Sequence, residues 1–121
     1  MILCAIDDLM FSIKISSAAK AIGGIDLFFE RSPDMLLSRI REKQPRLVIF
    51  DLNSARMNPI GAVTAMKQDP GLAGIRTLGF VSHVDAGTIA AARAAGIDQV
   101  LARSAFAAQL GSILTDAGPT T

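Results

Sequence analysis

The stretch Leu47-Val48-Ile49-Phe50-Asp51 constrains this chain more than any other: four apolar residues without a break, then a single carboxylate. A strand with one wet face alternates apolar and polar residues. An unbroken apolar run is a strand buried on both faces, which requires a parallel sheet covered by helices. A carboxylate does not lie unpaired inside such a strand, so Asp51 marks its carboxyl end. In open α/β sheets that edge is where ligands bind. Asp51 is therefore the first candidate for a reactive group.

The rest of the chain falls into the same pattern. Ile2 to Ile6 is a short apolar run that stops at Asp7-Asp8, and reads as a first buried strand. Apolar residues then recur at Leu9, Ile13, Ala18, Ala21 and Ile22, a helical spacing that Gly23-Gly24 ends. Ile25 to Glu30 is a second strand. Ser32-Pro33-Asp34 has the form of a helix start: a hydroxyl cap, proline in the first turn and an acid beside it. That helix carries Leu36, Leu37 and Ile40 and runs out through Arg39, Arg41 and Lys43 to Pro45. After Asp51, an irregular loop leads to Asn58-Pro59 and a third helix with Val63, Met66 and Lys67. Thr77 to Val81 is a fourth strand, followed by Ser82-His83. Asp85 caps an alanine-rich helix that ends at Gly96. Gln99 to Ala102 is a last strand, with Ser104 as cap of the final helix.

Five strand–helix pairs in strict alternation imply an α/β domain with right-handed crossovers and helices on both faces. At this size the expected architecture is a doubly wound (βα)5 fold, a five-stranded parallel sheet of order 2-1-3-4-5. In that order the first and third strands are neighbours. Asp7, Asp8 and Asp51 then converge at one edge, and Ser82 and Arg103 arrive there from strands four and five. Three converging carboxylates repel one another without a cation. Such hard oxygen donors suit Mg²⁺, which takes one or two carboxylates and shares phosphate oxygens. With a hydroxyl at Ser82 and a guanidinium at Arg103, the set is what a phosphorylated aspartate requires.

These residues carry a resemblance. From residue 1 to about 116 the chain resembles the response-regulator receiver domains, the CheY-like family of two-component signalling. The acidic pair after strand one matches Asp7-Asp8, the phospho-accepting aspartate matches Asp51, and the hydroxyl after strand four matches Ser82. Gly96-Ile97-Asp98-Gln99-Val100-Leu101-Ala102-Arg103 resembles the family's Gly-Ala-Asp-x-Tyr-x-x-Lys segment. The resemblance implies Mg²⁺ bound directly by Asp8 and Asp51, through water by Asp7, and by the backbone carbonyl of Asn53. It also implies a phosphoryl donor, which is a histidine kinase or a phosphotransfer protein. Signalling is expected through the face of helix four, strand five and helix five, toward a downstream partner or a second copy of the chain. On that reading the protein is not an enzyme, and it is a receiver without an output domain. The alternative is a pseudo-receiver, a protein-interaction module that works without phosphorylation.

The pattern is atypical in four places. Arg103 stands where the family has lysine, and the two cations are not interchangeable. Ser104 replaces the proline that follows. Val100 replaces the aromatic switch residue. The loop from Asn53 to Pro59 lacks the family's Met-Pro-x-x-Asp-Gly. Blander roles remain open at several positions: Asp8 as a helix cap, Ser82 and Arg103 as surface residues, and His83, the only histidine, as a rim residue that could gate access to Asp51.

Composition closes other routes. A net charge of +1, with no Trp or Tyr, gives no footprint for nucleic acid or an anionic membrane. The apolar start meets Asp7-Asp8 after six residues, too soon for a signal peptide or a membrane span. Cys4, the single cysteine, sits in an apolar run, where a thiol packs rather than reacts; this suits a reducing cytoplasm. Gly23-Gly24 precedes a strand and so fails as a phosphate loop. No cobalamin-type or FMN-type loop is present. Residues 117–121 are expected to be a disordered tail.

Overall fold

The apolar runs that stop at a charge become the strands. In the computed structural model, which describes residues 1–83 and 85–117, β1 (Ile2–Ala5), β2 (Leu27–Phe29), β3 (Leu47–Asp51), β4 (Arg76–Val81) and β5 (Gln99–Ala102) form one parallel sheet of order β2-β1-β3-β4-β5. Between and after them run α1 (Leu9–Ile22), α2 (Leu36–Lys43), α3 (Pro59–Gln68), α4 (Ala86–Ala95) and α5 (Arg103–Ala117). The expected fold class and strand order are both present.

Alternation along β3 divides the core into two layers. Leu47 and Ile49 pack with Phe11, Ile15 and Ala19 of α1 and Phe106, Leu110 and Leu114 of α5. Val48 and Phe50 pack with Leu36 and Ile40 of α2, Val63 and Met66 of α3, and Ala92 of α4. β3 is thus buried on both faces, as its unbroken apolar run requires.

Register sets the site. Ala5 lies opposite Phe50, Asp51 opposite Phe80, and Val81 opposite Ala102. Asp51 therefore closes the central strand, while Ser82 and Arg103 each follow a residue of the last paired row. Asp7 and Asp8 leave the end of β1 beside them.

The helix ends show why the chain turns where it does. Asp8 caps α1 by accepting a hydrogen bond from the backbone N–H of Phe11 at 3.0 Å. Gly23, at φ 80°, ends that helix with its N–H on the carbonyl of Ala19. Asp85 caps α4 through the N–H groups of Gly87 and Thr88.

Several expectations are corrected. The apolar recurrence at Leu9, Ile13 and Ile22 marks a helix but not its buried face. Those residues are exposed, and the inward stripe is Phe11, Ile15 and Ala19. α2 begins at Leu36 rather than after Ser32, because 32–35 form a turn in which Met35 N–H donates to the Ser32 carbonyl. The strand expected from Ile25 to Glu30 pairs only over Leu27–Phe29. Ser104 does not cap α5, which starts at Arg103 directly after β5. Ala117 is the last residue of α5 and is buried, so it is no part of a tail; residues 118–121 lie outside the described residues.

Candidate functional site

The site is built on the carboxyl edge of β1, β3, β4 and β5. Asp51 is half-buried at the tip of β3, and its Oδ1 accepts the backbone N–H of Asn53 at 3.0 Å. That bond folds the loop back on the carboxylate, and the N–H of Ser54 adds a bond to the Asp51 carbonyl at 3.2 Å. Burial is the largest influence on Asp51 and holds its carboxyl above the ordinary carboxylate range. The Asn53 N–H opposes it, the charge of Asp7 adds to it, and the smaller effects of Arg103 and Asp8 oppose and add respectively. Asp7, Asp8 and Arg103 therefore all bear on the charge of Asp51.

The neighbours of Asp51 are not idle. Asp8 caps α1 with Oδ1 and faces Nη2 of Arg103 at 3.5 Å with Oδ2. Arg103 also donates from Nη1 to Oγ of Ser82 at 3.3 Å, and its guanidinium lies over the ring of Phe11. Asp7 accepts a hydrogen bond from Oγ of Ser54 at 3.0 Å and pairs with Nη1 of Arg56 at 3.5 Å. Asn53 ties the two loops together: its side-chain Oδ1 accepts the backbone N–H of Ser82 at 2.6 Å and of His83 at 3.3 Å. The side chain of His83 is exposed at the rim.

All six residues singled out from the sequence thus reach one edge. Asp7, Asp8, Asp51, Asn53, Ser82 and Arg103 are joined by the contacts above. Three residues of the same network were not anticipated: Ser54 and Arg56, which hold Asp7, and Phe11, which supports Arg103. Ser54 and Arg56 sit in an irregular loop with no periodicity to read. Phe11 is legible only once the helix face is known.

Among the described residues, no three His, Cys, Asp or Glu side chains stand grouped as around a metal ion. Two of the site carboxylates are instead in ion pairs, Asp7 with Arg56 and Asp8 with Arg103. In kind, the donors fit a hard divalent cation. They are oxygens on adjacent strand ends, and the like charges of Asp7 and Asp8 raise the carboxyl of Asp51, a repulsion that a cation would relieve.

A five-stranded parallel sheet of order 2-1-3-4-5 with alternating helices is the CheY-like receiver fold. Solved structures agree. A phosphorylated cyanobacterial phytochrome response regulator superposes with a TM-score of 0.77 at 18% identity, covering 95% of this chain and 88% of that one. The Mn²⁺-bound form of a response regulator gives 0.78 at 17% identity, covering 99% and 98%. A chemotaxis response regulator of Vibrio cholerae gives 0.79 at 15% identity, covering 96% of each chain. At these identities the likeness establishes the fold: the chain has the CheY-like receiver fold over nearly its whole length. No protein-family model matches the sequence, and no curated protein matches it.

Proposed function

We propose that this chain is a receiver module of two-component signalling that accepts a phosphoryl group on Asp51. The observation that carries the proposal is the difference between Asp51 and its two neighbours. Asp7 and Asp8 are each held in an ion pair. Asp51, among the described residues, has none, and it is held above ordinary carboxylate basicity at the open edge of the sheet. A more basic carboxylate is the better nucleophile.

The donor class is a phosphohistidine on a histidine kinase or phosphotransfer protein. A carboxylate oxygen of Asp51 attacks phosphorus, the P–N bond breaks as the P–O bond forms, and the imidazole leaves with the electron pair and takes up a proton. Arg103 and Ser82, bonded to each other at the next strand ends, would receive the phosphoryl oxygens. Asp7, Asp8, Asp51 and the carbonyl of Asn53 would hold a divalent cation, Mg²⁺ in the cell, whose chemistry is to neutralise phosphoryl oxygens. Water later attacks phosphorus, releasing inorganic phosphate and restoring the carboxylate. This turnover is self-limited, so the protein acts as a signalling module and not an enzyme.

The output is a changed affinity for a protein partner, or a second copy, at the α4–β5–α5 face. We place the module at residues 1–117. A cytoplasmic location is favoured by the buried free thiol of Cys4, and among the described residues no helix is long and apolar enough to cross a membrane.

Intact-mass measurement after incubation with acetyl phosphate and Mg²⁺ tests the proposal. The expected result is a gain of one phosphoryl group that Asp51→Asn abolishes. No gain, or an adduct that survives Asp51→Asn, overturns it. No gain would favour the second reading, a phosphorylation-independent interaction module, which the two arginine pairs on Asp7 and Asp8 support.

A further inference from the structure

We infer that Arg56 is an internal counter-ion that competes with a divalent cation for Asp7, so that this chain binds the cation more weakly than its carboxylates alone would allow. The inference rests on the reading that Asp7, Asp8 and Asp51 form the cation site. Arg56 belongs to no strand end and no motif. It lies in the irregular loop five residues after Asp51, and its side chain is 60% exposed.

Its guanidinium is nevertheless fixed at two points. Nη1 donates to the backbone carbonyl of Arg31, in the segment between β2 and α2, at 2.7 Å, and lies 3.5 Å from Oδ2 of Asp7. The other Asp7 oxygen, Oδ1, accepts the hydroxyl of Ser54, whose Oγ in turn accepts the N–H of Met57 at 3.3 Å. Both oxygens of Asp7 are therefore engaged by the loop that follows Asp51.

Two consequences follow for a cation. Its charge must compete with that of Arg56 for the same carboxylate, and it must enter a site already partly neutralised. The carbonyl of Arg31 favours the outcome with Arg56 in place, because it anchors the guanidinium beside Asp7 without drawing on any carboxylate. Arg103 does the same to Asp8 across the site, but that cation also serves Ser82. Arg56 touches neither Asp51 nor Ser82 among the contacts of the described residues, so its removal leaves the acceptor and its oxygen-binding partners in place.

Mn²⁺ is the probe, with the electron paramagnetic resonance signal of free Mn²⁺ as the readout. The chains compared are the wild type, Arg56→Gln, Arg93→Gln and Asp51→Asn. Arg93 is exposed in the last turn of α4, at the other end of the sheet, and controls for loss of one positive charge. Arg56→Gln is expected to bind Mn²⁺ about two- to fivefold more tightly, the range for breaking one exposed ion pair. Arg93→Gln is expected to match the wild type, and Asp51→Asn to bind more weakly. Equal or weaker binding by Arg56→Gln, with Asp51→Asn still impaired, would overturn the inference and leave the cation site standing. Equal tightening by Arg93→Gln would also overturn it, by reducing the effect to net charge. Failure of both wild type and Arg56→Gln to bind would remove the cation site itself and the inference with it. Binding by Arg56→Gln alone would support both.

Discussion

The guanidinium of Arg103 lies 4.2 Å from the ring centroid of Phe11, stacked on the first turn of α1 while its two Nη atoms reach Ser82 and Asp8. A planar cation suits this place, because one face packs on the ring while the edge donates. Arg103→Ala should slow phosphoryl uptake from acetyl phosphate about 10²-fold, the usual loss for one charge-stabilising donor. Arg103→Lys should retain part of the rate, since the charge persists and the stacking does not. The time course of intact mass measures both.

Phe11 joins Phe80 and Phe106 in one buried aromatic cluster, with ring centroids 4.8, 5.8 and 5.0 Å apart. Phe106→Ala should destabilise the fold by about 3–5 kcal/mol through cavity formation and lost ring contacts. Urea unfolding followed by circular dichroism checks this.

Asp51→Asn should stabilise the fold near pH 7. Burial first, then the charges of Asp7 and Asp8, raise the folded carboxyl above its unfolded value. The ionised group therefore costs the folded state free energy at neutral pH. That cost disappears as the pH falls below about 4, where both states are protonated. The gain should be no more than about 1 kcal/mol, because the half-exposed group is screened by solvent. Thermal melts of both chains across pH should show the gap closing toward acid.

Cys4 is fully buried in β1, and burial pushes its thiol up to about 12. It should resist alkylation at mildly alkaline pH in the folded protein and react on unfolding. Below the unfolded value, about 8.5, both states keep the thiol and stability is unaffected. As the pH rises from there toward 12, the unfolded state ionises first and stability is lost. Iodoacetamide labelling and alkaline melts test the two halves of this expectation.

Gly79 faces the core between β3 and β5. A Cβ there would lie 2.6 Å from Cγ of Leu52 and 2.9 Å from Cδ1 of Ile97, both buried. Gly79→Ala should cost about 1–3 kcal/mol. It should also slow phosphoryl uptake, because Leu52 directly follows Asp51. Denaturant melts and the mass assay read the two effects separately.

The fold and the acidic half of the site are determined by the sequence itself. An unbroken apolar run such as Leu47–Phe50 has one stable environment, a strand buried on both faces, and strict strand–helix alternation leaves few topologies. Once β1 and β3 are neighbours, Asp7, Asp8 and Asp51 must reach the same edge, since each stands where its strand leaves the sheet. What those carboxylates touch was decided only in three dimensions. Arg56 reaches Asp7 because an irregular loop returns past the end of β1, and Arg103 reaches Asp8 because α5 begins at once after β5. The buried face of α1 is likewise a tertiary outcome, with Phe11 inward and the equally apolar Leu9 and Ile13 outward. Apolar periodicity identifies a helix, but the direction of its buried face is set by the layer it packs against. Side-chain pairing in a loop has no periodicity at all, because it depends on where the backbone returns in space rather than on the spacing of residues along it.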